Sequence, residues 1–273
     1  MDHTPDHTAA PAPVQLPVLH WGQQDAPRRV LLLHGLTSAA ACWWRVADAL
    51  ASAGCSVTAP DLRGHGLAPR TVRYDIGGFV ADVLALRPPG HGAPEWDLVV
   101  GHSLGGLVAT AAATAPHADP GWARRLLLLD PPIAVREEVV EAFVGSVSAE
   151  VRDADPEQML RQNPTWHPED AFLKAQAARR TTPYVVDSFL RGNAPWSYEK
   201  ELAAYPHPVT LLAADPARHG VFGPDLGRRI EQAGGGTFRW SVVEGAGHSL
   251  YRDAPDTVIA AALEALEEAP PVR

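Results

Sequence analysis

The stretch LVVGHSLGG, Leu98 to Gly106, is an apolar run that stops at a glycine and is followed by one serine with a glycine at each second neighbour. An alanine-rich segment, LVATAAATA, continues from it. The order predicts a buried strand, a sharp turn and a helix. Glycines at 101 and 105 remove the side chains that would collide with the neighbouring strand or helix. The turn then projects the Ser103 hydroxyl at a helix amino terminus, where free amides and the helix dipole favour developing negative charge. This is the layout of a nucleophile elbow.

Working outward, short apolar runs alternate with longer helical segments, which predicts βαβ units and a parallel sheet. The strand candidates are Val30–Leu33, Ser56–Ala59, Asp97–Val100, Arg125–Leu129, Val209–Ala213 and Phe238–Val243. In open α/β sheets ligands sit beyond the carboxyl ends of the strands, so the residues after each run carry the chemistry. The interval 130–208 is far longer than a crossover helix requires. It holds helical stretches at Arg136–Val151 and Glu169–Arg180 and the aromatics Phe143, Trp166, Phe172, Tyr184, Phe189, Trp196 and Tyr198. It reads as a helical insertion over the sheet. Residues 1–15 and 269–273 read as disordered tails, and Pro88–Pro94 as a loop.

The formal net charge of −9 argues against nucleic acid as a partner, since affinity for phosphate backbones needs clustered Lys and Arg. No apolar run is long enough to span a bilayer. The start, MDHTPDHTAAPAPVQ, lacks the basic and apolar regions of a signal peptide, so the expectation is a cytoplasmic protein with no membrane partner. Cys42 and Cys55 form no metal-type cluster and read as thiols in a reducing compartment. Nothing in the sequence demands a metal or an organic cofactor.

A serine hydroxyl attacks well only when a base takes its proton. His248, in the run FRWSVVEGAGHSLY, follows the last strand candidate directly and is the expected base. An oxyanion needs two donors. The Leu104 amide, just after the serine, is one; the Leu36 amide, in the turn LLLHGLTSAA, is the other.

These residues carry a resemblance. HGLTSAAACW (34–43), APDLRGHGLA (59–68), VVGHSLGG (99–106), LLLLDPP (126–132), VTLLAADP (209–216) and VEGAGHSLYRDAP (243–255) occur in the order found in the α/β-hydrolase superfamily, and the chain resembles its lid-bearing branch over nearly all of its length after residue 15. The resemblance implies a mostly parallel sheet of about eight strands flanked by helices, an α/β-hydrolase core over 16–131 and 206–273, and a helical cap over 132–205. It also implies that Asp61, Arg63 and His65 shape a loop rather than react. The triad acid departs from the family pattern. Ala214 stands where a glycine usually ends the seventh strand, and Ala217 stands where the carboxylate usually follows. Asp215, which keeps the commoner strand, is the expected acid; Asp130, at the end of the preceding strand, is the alternative.

The expected activity is that of a serine hydrolase acting on a small or medium, largely apolar carboxylic ester or lactone. Trp43, Trp44, Phe143 and Trp166 are the expected substrate-binding aromatics. A serine rather than a carboxylate at the elbow argues against the dehalogenase and epoxide-hydrolase branches. Carbon-carbon bond or amide hydrolysis, perhydrolysis and a non-catalytic ligand-binding receptor use the same scaffold and stay open.

Overall fold

The computed structural model describes residues 12–89, 95–119 and 121–267. The expected tails at 1–11 and 269–273, and residues 90–94 of the expected loop, lie outside them. The chain opens with β1 (Val18–Trp21), β2 (Arg28–Leu33), α1 (Trp44–Ser52), β3 (Cys55–Pro60), α2 (Ile76–Ala85), β4 (Leu98–His102), α3 (Leu104–Ala113) and β5 (Leu126–Leu129). The long interval then contributes a short pair, β6 (Ala134–Val135) and β7 (Trp196–Ser197), around α4 (Val140–Arg152), α5 (Pro156–Gln162), α6 (Pro168–Arg180) and α7 (Pro183–Asn193). After α8 (Glu199–Ala203) the chain returns through β8 (Val209–Ala214), α9 (Pro224–Ala233), β9 (Phe238–Val243), α10 (Leu250–Asp253) and α11 (Pro255–Glu267).

All six strand candidates are present, within two residues at each end. Among the described residues the main sheet has the order β1-β3-β2-β4-β5-β8-β9, seven strands where about eight were expected. β1, absent from the strand candidates, pairs antiparallel with β3; every other pairing in this sheet is parallel. β1, VLHW, is a half-exposed edge strand whose apolar run is broken by His20 after two residues.

The inner parallel strands β2, β4, β5 and β8 read as largely apolar runs because both their faces are covered, whereas β9, FRWSVV, is a half-exposed edge strand. Leu31, Leu33, Val99 and Leu128 pack on one side with α2, α3 and the insertion, whereas Val30, Leu32, Val100 and Leu127 pack on the other with α1 and α11. Cys42 and Cys55 are buried free thiols in that second layer. The expected tail ends before residue 14, since the Val14 amide donates to Asp82 Oδ1 at 2.6 Å. Asp82 also receives both Nε and Nη2 of buried Arg63, and Asp61 accepts from the Ala40 and Leu67 amides. The DLRGHG segment is thus bound up in loop structure. Among the described residues no helix is long and apolar enough to cross a membrane.

Candidate active site

The sheet order brings the ends of β2, β4, β5, β8 and β9 side by side. Leu33 lies opposite Gly101, His102 opposite Leu129, and Leu129 opposite Leu212. The residues just past these pairs therefore surround one point.

Ser103 stands between β4 and α3 with φ 50° and ψ −118°, a backbone conformation costly for a residue with a side chain. Its geometry is held by close packing: a Cβ on Gly105 would lie 2.1 Å from the Leu33 carbonyl oxygen, and one on Gly101 2.5 Å from that of Gly105. The Ser103 amide donates to Leu129 O at 3.0 Å, tying the turn to β5.

His248 Nε2 lies 3.0 Å from Ser103 Oγ, and His248 Nδ1 lies 2.6 Å from Asp130 Oδ2. With Nδ1–H donating to the carboxylate, Nε2 is left as the acceptor facing the serine hydroxyl. Asp130 is fully buried, with φ 43°, and accepts four bonds: Ala214 N (3.1 Å) and Phe222 N (3.0 Å) on Oδ1, Val221 N (2.8 Å) and the imidazole on Oδ2. Burial pushes its pKa up, but the His248 hydrogen bond and charge and the Val221 and Phe222 amides outweigh it and hold the carboxyl below its ordinary range.

The expectation that Asp215 faces His248 is corrected by these contacts. Asp215 accepts from the Ala217 and Gly245 amides, both at 2.9 Å, and its own amide donates to Ala246 O. The Gly245 and Ala217 bonds lower its pKa, and the residue ties the turn after β8 to the loop that carries His248. The cause is strand order: β5 adjoins β4, whereas β8 lies one strand further out. The segment 219–223 after β8 then folds back to close over Asp130.

The Leu36 amide donates to no acceptor among the described residues, and Leu104 is the first residue of α3, where an amide has no acceptor within the helix. Both residues line the cavity at Ser103. The left-handed residue in this turn is Thr37 (φ 62°); Gly35 is needed for space, since a Cβ there would lie 2.7 Å from His102 Nδ1 and 3.1 Å from the Ser103 Cβ. His102 packs beside His248 with ring centroids 4.8 Å apart and donates from Nε2 to the His248 carbonyl at 2.8 Å. Burial, followed by the charge of His248, lowers its pKa well below the usual value, so it remains a neutral donor that steadies the His248 loop.

The cavity at Ser103 has a volume of about 550 Å³. Its apolar wall comes largely from the insertion: Val135, Phe143, Val147, Phe189, Leu190 and Trp196. Of the four expected substrate-binding aromatics, Trp43, Trp44, Phe143 and Trp166, only Phe143 belongs to it. Trp43 is fully buried and stacks on Tyr251 with centroids 4.2 Å apart, and Trp44 points to the insertion, donating to Asp170 Oδ1 at 2.9 Å. Trp166 donates to Asp253 Oδ1 at 2.8 Å, lies 5.2 Å from the Arg252 guanidinium and lines a separate outer cleft. Phe172 and Tyr184 are exposed.

Several polar residues at the site escaped the sequence reading. Lys174 of α6 donates to Thr37 O at 3.0 Å and pairs with Glu150 of α4, so the insertion grips the turn that carries the Leu36 amide. Buried Arg252 donates to Ser249 Oγ at 3.3 Å and to Ser38 Oγ at 3.1 Å, joining the His248 loop to that same turn. No local pattern marks residues that act across an interval of more than a hundred positions. Among the described residues no three His, Cys, Asp or Glu side chains converge as metal ligands would.

Comparison with known proteins agrees with this architecture. Residues 30–262 match the alpha/beta hydrolase family. Lipase LipV of Mycobacterium tuberculosis is 34% identical over 152 residues, which cover 56% of this chain and 55% of the lipase, so the match spans about half of that relative's length. Epoxide hydrolase A of the same organism is 27% identical across 93% of this chain and 94% of its own. Among solved structures, the N-formylmaleamic acid deformylase of Pseudomonas putida S16 superposes with a TM-score of 0.72 at 27% identity, covering 90% of this chain and 94% of that one. The chain belongs to the alpha/beta hydrolase family.

Proposed function

We propose that this protein is a serine hydrolase that cleaves a carboxylic ester or lactone with a largely apolar acyl part through an acyl-enzyme intermediate. The observation that carries the reading is the continuous contact from Asp130 Oδ2 through His248 to Ser103 Oγ, opening on an apolar cavity. Ser103 Oγ bonds to the substrate carbonyl carbon as its proton passes to His248 Nε2. The oxygen that gains the electron pair is held by the Leu36 and Leu104 amides. Asp130 steadies the imidazolium. The carbon–oxygen bond to the alcohol then breaks, and His248 delivers its proton to the departing oxygen. Water repeats the sequence on the acyl-enzyme, releasing the acid and restoring the serine.

The similarity to an epoxide hydrolase does not alter this reading, because the elbow carries a hydroxyl rather than an attacking carboxylate. Intact-mass labelling with a fluorophosphonate tests it without knowledge of the substrate. Wild type should gain one adduct, while Ser103→Ala and His248→Ala gain none. A folded wild type that stays unlabelled overturns the reading and moves the non-catalytic binding protein ahead. Product formed over many turnovers from an ester panel, and lost in Ser103→Ala, separates ester hydrolysis from the amide and carbon-carbon alternatives.

A further inference from the structure

Two compartments meet at His248. The inner one is the apolar cavity already described, to which Leu36, Ser103 and Leu104 belong. The outer one is a cleft of about 530 Å³ lined by Gln162 and Asn163 at the end of α5, Arg218 and His219 after β8, and Asp253. Gln162, Arg218 and His219 are exposed, so this cleft opens to solvent. Glu150, Lys174, His219, His248 and Ser249 border both compartments.

The chemistry assigns a direction across that border. The group that receives the serine proton must hand it to the departing oxygen, so the alcohol half of a substrate lies against the imidazole. The acyl half lies where the oxyanion donors are, and both of those face the inner cavity alone. The outer lining carries two cations, Lys174 and Arg218, and two carboxylates, Glu150 and Asp253, so its formal charge balances while donors and acceptors are both abundant. Hydroxyl groups, which donate and accept at once, match such a wall.

We infer that the substrate is an open-chain ester joining an apolar acyl group, held in the inner cavity, to an uncharged, hydroxyl-bearing alcohol held in the outer cleft. The inference rests on the serine hydrolase reading and narrows it, since a lactone carries its alcohol tethered inside the acyl half and leaves the outer cleft unused.

The test compares 1-monohexanoylglycerol with propyl hexanoate, and a glycerol ester series from acetate to hexanoate, by kcat/KM. The glycerol ester should exceed the propyl ester by about tenfold, the effect of one or two net hydrogen bonds. Lengthening the acyl chain should raise kcat/KM by about fourfold per methylene until the cavity fills. Gln162→Leu with Arg218→Leu should erase the alcohol preference and keep the chain-length series. Phe143→Ala should flatten the series and keep the alcohol preference. Equal or better turnover of the propyl ester, a γ- or δ-lactone that outruns both esters, or outer-cleft substitutions that change the chain-length series would overturn the inference. If a fluorophosphonate labels Ser103 but no ester in the set turns over, this substrate assignment fails while the activated serine stands; if labelling fails too, both fall.

Discussion

Replacing Asp130 by Asn is the sharpest perturbation of the site, because it keeps the shape of the side chain and changes one acceptor into a donor. The new amide nitrogen must take the place of Oδ1, facing the Ala214 and Phe222 N–H groups at 3.1 and 3.0 Å, or of Oδ2, facing Val221 N–H at 2.8 Å and the imidazole at 2.6 Å. The second arrangement opposes one backbone donor instead of two, and it resolves the contact with His248 only if Nδ1 gives up its proton. The proton then resides on Nε2 and points at Ser103 Oγ, 3.0 Å away, so the serine has no acceptor. Neutralising a carboxylate in this position lowers kcat by about 10⁴-fold in comparable triads, or roughly 5.4 kcal/mol of barrier at 1.36 kcal/mol per decade. The opposed backbone donor adds a stability loss of about 1–3 kcal/mol. Ester hydrolysis at saturating substrate, with the folded fraction checked by urea unfolding, measures both. Asp215→Asn is the control: it should keep kcat within about threefold, since its carboxylate reaches only turn amides. If Asp130→Asn stays within about tenfold of wild type while Asp215→Asn loses orders of magnitude, the orientation of His248 has been assigned to the wrong carboxylate.

Trp43→Ala should lower unfolding stability by about 3–5 kcal/mol with KM for esters unchanged, because the ring is fully buried against Tyr251 and lies outside the cavity; a raised KM at unaltered stability would restore Trp43 as a substrate contact. Asp82→Ala should cost about 3–5 kcal/mol by leaving the Arg63 guanidinium buried without its carboxylate, and Arg63→Met combined with Asp82→Leu should regain most of it; urea midpoints that fall equally in single and double variants would contradict the pairing. Burial lowers the pKa of His34 to about 4 and, with the charge of His34, that of His65 to about 3. Both folded values lie below the unfolded value near 6.5, so the unfolded chain binds the extra protons, and stability is complete above about pH 6.5 and declines below it. The slope is about 1.4 kcal/mol per pH unit per histidine from roughly pH 6.5 down to the folded values, and it should be shallower in His65→Gln; urea midpoints that hold steady or rise between pH 6.5 and 5 count against it.

The parallel strands, the serine turn and the histidine that reaches it could be found in the sequence because each is local. A strand buried on both faces reads as a largely apolar run, a serine at a crowded turn must sit between glycines, and His248 lies in the loop after the last strand, half-exposed β9. β1 is an exception among the strands, since His20 breaks its apolar run after Val18 and Leu19. Asp130 and Asp215 are both acids immediately after strands, so nothing local separates them. The choice between them depends on β5 lying next to β4 and on Val221 and Phe222 folding back over the Asp130 carboxylate. The same holds for the aromatics: composition marks Trp43, Trp44, Phe143 and Trp166 alike as large and apolar, but only packing decides that Phe143 lines the cavity while Trp43 stacks in the core. Local pattern therefore determined the strand-turn-helix serine, which neighbouring residues specify through sterics, and the position of His248 just after the last strand. Tertiary structure alone decided the carboxylate, the Lys174 and Arg252 contacts and the walls of the two compartments, since each depends on segments that meet only when the sheet is ordered and the insertion folds over it.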